Sequence, residues 1–202
     1  MAHITYGTVT KPNDYIPISL AECKTWLLIA STITNDDSFV ELIRKGVVGF
    51  VENNYDNYLV ERKITLEKHD IEDTTTDQIT LKYFPLHTVE VLYDDVNTVV
   101  DTDDYFVYAQ NGIIKLDDEF FTEGRCSVQC SYYTGYRESE FPDHLKMGLL
   151  ELVKIVYDEF VTTKETFTEQ IGRYLLTKKA LSSALPPHIE NLFQTSFGDK
   201  GI

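Results

Sequence analysis

Tyr105-Phe-Val-Tyr-Ala-Gln-Asn111-Gly112-Ile-Ile-Lys-Leu116 is the stretch on which the fold turns. Two runs rich in β-branched and aromatic residues flank an Asn-Gly pair. Asn and Gly are the residues that best tolerate the positive φ of a type I′ turn. The spacing therefore predicts a hairpin of Tyr105–Gln110 and Ile113–Leu116 closed by a two-residue turn. Outward from it the strand pattern continues on both sides. Upstream, Arg62–His69 alternates with Ile64 and Leu66 on one side, and Gln78–Tyr83 and Thr88–Tyr93 flank Pro85. Proline has no amide hydrogen for a ladder and marks a break there. Downstream a last strand is predicted over about Cys126–Tyr133, ending at Gly135.

Helical periodicity takes over beyond both ends of this region. Ser19 and Glu22 have the spacing of a capping box, and Leu20, Cys23, Trp26, Leu27 and Ala30 then recur at helical intervals. A helix over about 19–30 follows. A second is predicted over about 36–58, after Asn35-Asp36-Asp37, whose side chains suit exposed amides at a helix start. Its apolar positions are Phe39, Leu42, Ile43, Val47, Phe50, Val51 and Tyr55. Gly46 and Gly49 inside it cost about 1 kcal/mol each against Ala, which points to close approach of a neighbouring helix. Pro142 opens a third helix, over about 142–161. Leu145, Leu149, Leu152, Val156 and Phe160, widened by Leu150, Val153 and Tyr157, make it apolar over half its circumference and hence central. Glu151, Lys154 and Asp158 supply ion pairs on its solvated side.

Past Thr163 the composition turns polar, and residues 165–183 read equally as helix or as an extended arm. Pro186-Pro187 starts a short closing helix with Ile189, Leu192, Phe193 and Phe197 on one face. A helix this short is marginal alone, so that face needs a partner, either its own domain or another chain. The polar stretch before it gives reach and favours another chain. The fold class expected is α+β: a small bundle of three main helices, an inserted antiparallel sheet and hairpin region over about 62–133, and a C-terminal arm ending in a short helix. The corresponding divisions are a lead-in over 1–18, a core over 19–163 and an arm over 164–202.

Composition narrows the function. Lys and Arg total 18 against 33 Asp and Glu, a net charge of −15. The phosphate term would be repulsive over most of such a surface, so non-specific grip on nucleic acid is excluded. Cys23, Cys126 and Cys130 are odd in number, and two cysteines four apart on one strand lie roughly 13 Å apart, too far to bridge. With no targeting signal at the polar N-terminus, this reads as a reducing cytoplasm. No apolar run approaches the roughly 20 residues of a membrane span.

No catalytic constellation is legible. Gly-rich phosphate loops and GxSxG turns are absent, and Gly46-Val-Val-Gly49 falls inside a helix. His3, His69, His87, His144 and His188 have no companion at zinc spacing. Asp101, Asp103 and Asp104 resemble a calcium loop, but Phe106 and Gly112 stand where its Gly and Glu should be. With Asp94, Asp95, Asp117 and Asp118 they read as solvated loops at strand ends. Tyr132-Tyr-Thr-Gly-Tyr136 lacks the basic neighbours of a base-stacking platform and reads as core at a strand end. No cofactor, metal or enzymatic activity is expected.

The order of these signals resembles the head-tail connector family of tailed bacteriophages, also called adaptor or head-completion proteins. Ile18-Ser-Leu-Ala-Glu-Cys-Lys-Thr-Trp-Leu27 is similar to the family's opening helix. Asn35-Asp-Asp-Ser-Phe-Val-Glu-Leu-Ile43 with Val51-Glu-Asn-Asn-Tyr55 is similar to its second helix. Pro85-Leu86 with Val89, then Tyr132–Tyr136, then Phe141-Pro-Asp-His-Leu-Lys146 with Tyr157, and Leu185-Pro-Pro-His-Ile-Glu-Asn-Leu-Phe193 follow in the family's order. The resemblance spans most of residues 16–197. It departs at Asp158-Glu159, where the family usually has a basic–acidic pair, and at Gln194-Thr-Ser-Phe-Gly198, where its tail is often basic.

The resemblance implies a virion neck protein, assembled in a bacterial host, that forms a ring of commonly about twelve subunits. Such a ring sits on the portal protein, continues the DNA channel and receives a tail or stopper protein. The C-terminal helix would engage the portal through Ile189, Leu192, Phe193 and Phe197. Asp94, Asp95, Asp101, Asp103, Asp104, Asp117 and Asp118 would face the lumen or the tail, where carboxylates let DNA pass without sticking. Two readings from other classes compete. An acidic mimic of DNA that inhibits a nucleic-acid enzyme would need its carboxylates in duplex-like rows. A small hydrolase would need paired carboxylates.

Overall fold

Helix formation after residue 19 follows from its cap. The Ser19 hydroxyl accepts the Glu22 amide at 3.2 Å, and the Glu22 carboxylate accepts the Ser19 amide at 2.7 Å. The computed structural model describes residues 4–5, 7–11, 15–95, 98–162 and 186–197. Helix α1 spans Leu20–Trp26, shorter than the expected 19–30. Leu28 takes a φ of 58° and is 93% exposed, so the helix cannot continue. The buried Lys24 then holds the following loop, donating to the carbonyls of Ser31 and Ile33 and to the Asp37 carboxylate at 2.7 Å.

Helix α2 spans Asp37–Asn54 and ends before the expected Tyr58, where Asp56 turns to a φ of 45°. Asp36 stands at its N-cap but makes no capping bond. It accepts the Tyr157 hydroxyl at 3.2 Å instead. Val40 and Val48 point inward with Ile43, Val47 and Val51, whereas Leu42 is 47% exposed and leaves the expected face. The expectation of a close helix at Gly49 fails, because a Cβ there would meet open space. Helix α3 spans Asp143–Thr162, with Leu145, Leu149, Leu152, Val153 and Val156 buried as its stripe requires. Phe39 packs on Phe160 with ring centroids 4.0 Å apart, tying α2 to α3. Lys154 and Asp158 pair at 2.7 Å on the solvated side. Helix α4 spans Pro187–Phe197.

The strands are β1 Ile4–Thr5, β2 Thr8–Thr10, β3 Arg62–Ile71, β4 Gln78–Thr80, β5 Leu86–Asp94, β6 Thr98–Val99, β7 Tyr105–Tyr108, β8 Ile113–Leu116 and β9 Gly124–Thr134. They form two antiparallel sheets. One has six strands in the order β1-β3-β9-β5-β6 with β2 also on β3, and the other has three in the order β4-β8-β7. The predicted hairpin is the edge of the smaller sheet, but its turn is not type I′. Tyr108 pairs with Ile113, leaving a four-residue loop in which Gly112 takes a φ of 66° and Asn111 stays negative. Ile64, Ile79, Leu81, Leu92, Ile114, Phe121 and Tyr132 form the core of this region.

Strict alternation along β3 also fails. The ladder to β9 shifts register between Ile64 and Glu67, and Leu66 takes a φ of 58°. This bulge turns Leu66 outward, 39% exposed, and brings Glu67 fully inside. The fold is α+β as expected, but the expected core over 19–163 divides into two compact units. Residues 1–14 with 57–137 make the sheet unit, and residues 15–56 with 138–202 make the helical unit.

Candidate functional site

Two places carry the residues singled out in the sequence. The first is the seat of α4 in the helical unit. Ile189 and Phe193 are completely buried there, and Leu192 is half-buried. The Phe193 ring lies against Gly148 of α3: a Cβ on Gly148 would stand 3.1 Å from its Cζ and 3.5 Å from a Leu192 methyl. Even a methyl at 148 would press on that ring, which would have to give by a few tenths of an ångström. The Tyr55 ring at the end of α2 completes the seat, with its centroid 5.8 Å from that of Phe193. Burial, and then the Glu190 charge, raise the Tyr55 phenol above its ordinary value. Within this chain, Ile189 and Phe193 thus already have partners. The face is covered by the chain's own α2 and α3, because a glycine at 148 leaves room for the ring. Phe197 closes α4, and its side chain lies outside the described residues, as does the call of helix or arm over 165–183.

The second place is the hairpin end of the sheet unit. Asp101 caps a short 3-10 turn, Thr102–Asp104, by accepting the Asp103 amide at 3.3 Å. That turn leads straight into β7. Asp117 and Asp118 follow β8, and the Asp117 amide donates to the Asp104 carbonyl at 2.9 Å. The two acidic runs are therefore brought side by side, with Asp101, Asp103, Asp104, Asp117 and Asp118 all exposed. Asp94 is separate in role: half-buried, it accepts the Thr122 amide at 3.1 Å and hydroxyl at 2.8 Å, anchoring the loop after β8. Asp95 is exposed beside it in the β5–β6 turn. A cleft of about 360 Å³ opens at the hairpin, lined by Phe106, Tyr108, Lys115, Asp117 and Phe120 among others. Phe106, Tyr108 and Phe120 are 52%, 52% and 58% exposed. Lys115 is held by Asp77 at 3.2 Å.

The sequence reading missed a polar cluster in the sheet core. The Glu67 carboxyl accepts the Tyr132 hydroxyl at 2.6 Å and the Lys82 amide at 2.9 Å. His69 Nε2 stands 3.1 Å from the same carboxyl, but its angle makes no hydrogen bond. Burial, then Glu67, push the Tyr132 phenol far above its ordinary range. The cluster joins the segment after β4 to β3 and β9, a structural task. No group of three His, Cys, Asp or Glu side chains that could hold a metal occurs among the described residues. Cys23 and Cys130 are buried and all three cysteines are free. No helix among the described residues is long and apolar enough to cross a membrane.

In its α+β fold the chain is similar to chains of gene transfer agent particles. A chain in the virion of a native gene transfer agent particle matches with a TM-score of 0.56 at 15% identity, covering 93% of this chain and 94% of that one. A chain in the neck of an empty particle of that agent, computed with C6 symmetry, matches with a TM-score of 0.54 at 15% identity and the same coverage. No family model and no curated protein matches the sequence.

Proposed function

We propose that the chain is a structural adaptor subunit of a virion neck, forming a ring that docks on the portal, extends the DNA channel and receives a tail or stopper protein. The observation that carries this reading is the likeness, over 93% of the chain, to a chain of a gene transfer agent neck. The order of sequence signals from Ile18 to Phe193 supports it independently. The acidic hairpin suits either of two tasks in that ring, facing exiting DNA without adhering or presenting charge to a tail protein. The clustering of these acids at one hairpin end, in place of duplex-like rows, favours this reading over a DNA mimic.

In this role α4 is the portal-docking element, and use of Ile189 and Phe193 in docking requires the helix to leave Gly148. The net charge of −15 opposes ring closure between free subunits at low salt. Monomers in isolation and rings on the portal are the expected states. Purified chain mixed with a cognate portal ring and viewed by electron microscopy tests this. Decorated portals are expected, and loss of decoration on deleting residues 184–202. A stable free ring by light scattering at low salt would sink the charge argument, and undiminished decoration by the truncated chain would sink the role of α4.

A further inference from the structure

The outer strand of the three-stranded sheet, β7, has β8 on one side and no strand among the described residues on the other. Soluble proteins usually blunt such an edge with lysine, proline or a bulge. β7 has none of these. Its four residues are Tyr105-Phe-Val-Tyr108, its register to β8 is unbroken, and Phe106, Val107 and Tyr108 are 52%, 42% and 52% exposed. Apolar side chains thus stand on both faces of an open edge, with Phe120 beside them. Asp101, Asp103 and Asp104 lead into this edge, and Asp117, Asp118 and Glu119 follow its partner strand. The complementary occupant is an extended segment with apolar and cationic residues on both faces.

The chain itself contains such a segment. No acidic residue falls between Glu169 and Glu190, although the chain carries 33 of them. Within that interval Ile171, Tyr174, Leu175 and Leu176 are interspersed with Arg173, Lys178 and Lys179. Helix α3 ends at Thr162 and α4 begins at Pro187. The length of chain between them spans at most roughly 80 Å, at about 3.4 Å per residue. We propose that residues 170–181 of a second copy add to the β7 edge as a strand, with Arg173, Lys178 and Lys179 against the two acidic runs. This rests on the ring reading above. It supplies local attraction between copies whose overall charges repel.

The test is a disulfide trap in the full chain. Val107→Cys and Leu175→Cys are placed in two differently tagged populations, mixed on portal rings and oxidised, with the parent chain as control. A mixed dimer is expected. Its yield should fall at least tenfold with Lys178→Glu and Lys179→Glu, and return when Asp103→Lys and Asp104→Lys are added to the other population. Rings without the mixed dimer overturn the arm contact while leaving the neck reading intact. A link confined to one chain when both cysteines share it, at every dilution, also overturns it. A mixed dimer formed without any portal binding supports the arm contact and tells against the neck reading.

Discussion

The helical unit seats Phe193 against Gly148 with none of its side chain in solvent, whereas the sheet unit leaves Phe106, Tyr108 and Phe120 more than half exposed. Exposed apolar residues exist in the helical unit too, but Leu28, Leu42 and Met147 are scattered over separate elements, which is ordinary for a folded surface. In the sheet unit they follow one another along an edge strand and are flanked by acids. Buried charge is handled differently in the two units. The helical unit buries the cation Lys24, which pairs with Asp37 at 2.7 Å and ties down the loop after α1. The sheet unit places Glu67 at 0% exposure in its centre. One unit covers its large rings by packing, and the other is held from within by a polar bond and leaves an apolar edge exposed.

This contrast breaks most readily at Glu67. Glu67→Ala strands the Tyr132 hydroxyl and the Lys82 amide in the core and should cost about 3–5 kcal/mol, seen as a shifted denaturant midpoint. A loss below about 1 kcal/mol would show that the cluster is not what holds the sheets. Phe193→Ala removes the ring from the Gly148 seat and should cost about 3 kcal/mol. Its effect is expected as local release of α4, read as rapid proteolysis after residue 162 with the remainder resistant. Gly148→Leu should reproduce that release while keeping the phenyl ring. Ser19→Ala removes one half of the capping box and should cost about 1 kcal/mol, measured by thermal unfolding. Phe106→Ser with Tyr108→Ser should change stability by no more than about 0.5 kcal/mol, yet abolish attachment to partners in a pull-down with assembled necks. A large stability loss there would mean that the edge is core and not a docking surface.

Titration sharpens the comparison at its smallest scale. Burial opposes ionisation of Glu22, but the Ser19 amide and hydroxyl and the Lys146 ammonium together hold its carboxyl below the usual value. Its stabilisation is present above the unfolded pKa near 4.3 and is lost as pH falls through the lower folded value. Burial pushes the Cys23 thiol up to about 11. The unfolded chain therefore gives up that proton first, and stability falls as pH rises from the ordinary thiol range towards 11. Thiol labelling at pH 8 should modify Cys126 first and the buried Cys23 and Cys130 only on unfolding.

Local signals were the legible ones. The Ser19–Glu22 box and the α3 stripe depend on residues within a few positions of each other, and both stand in the structure where the sequence puts them. The hairpin was legible as a hairpin, but the four-residue loop depends on which residues pair across it. Glu67 was illegible because its inward turn is set by β9, where the Ser131 hydroxyl accepts the Leu66 amide at 3.0 Å, 65 positions away. The close approach looked for at Gly49 occurs at Gly148, since only the packing partner decides which glycine is needed. The exposed face of β7 carries the same residue types as a buried strand, so periodicity could not separate an exposed edge from a core.

The bulge at Leu66 makes the length of β3 forgiving at that point. Side chains before it face inward at even positions and after it at odd ones, Ile64 against Glu67, His69 and Ile71. Removing Leu66 would leave Glu67 facing inward from a regular strand, whereas removing Lys68 would turn the residues beyond it inside out. A one-residue gap at 66 is therefore the indel that related chains could carry while keeping the same core.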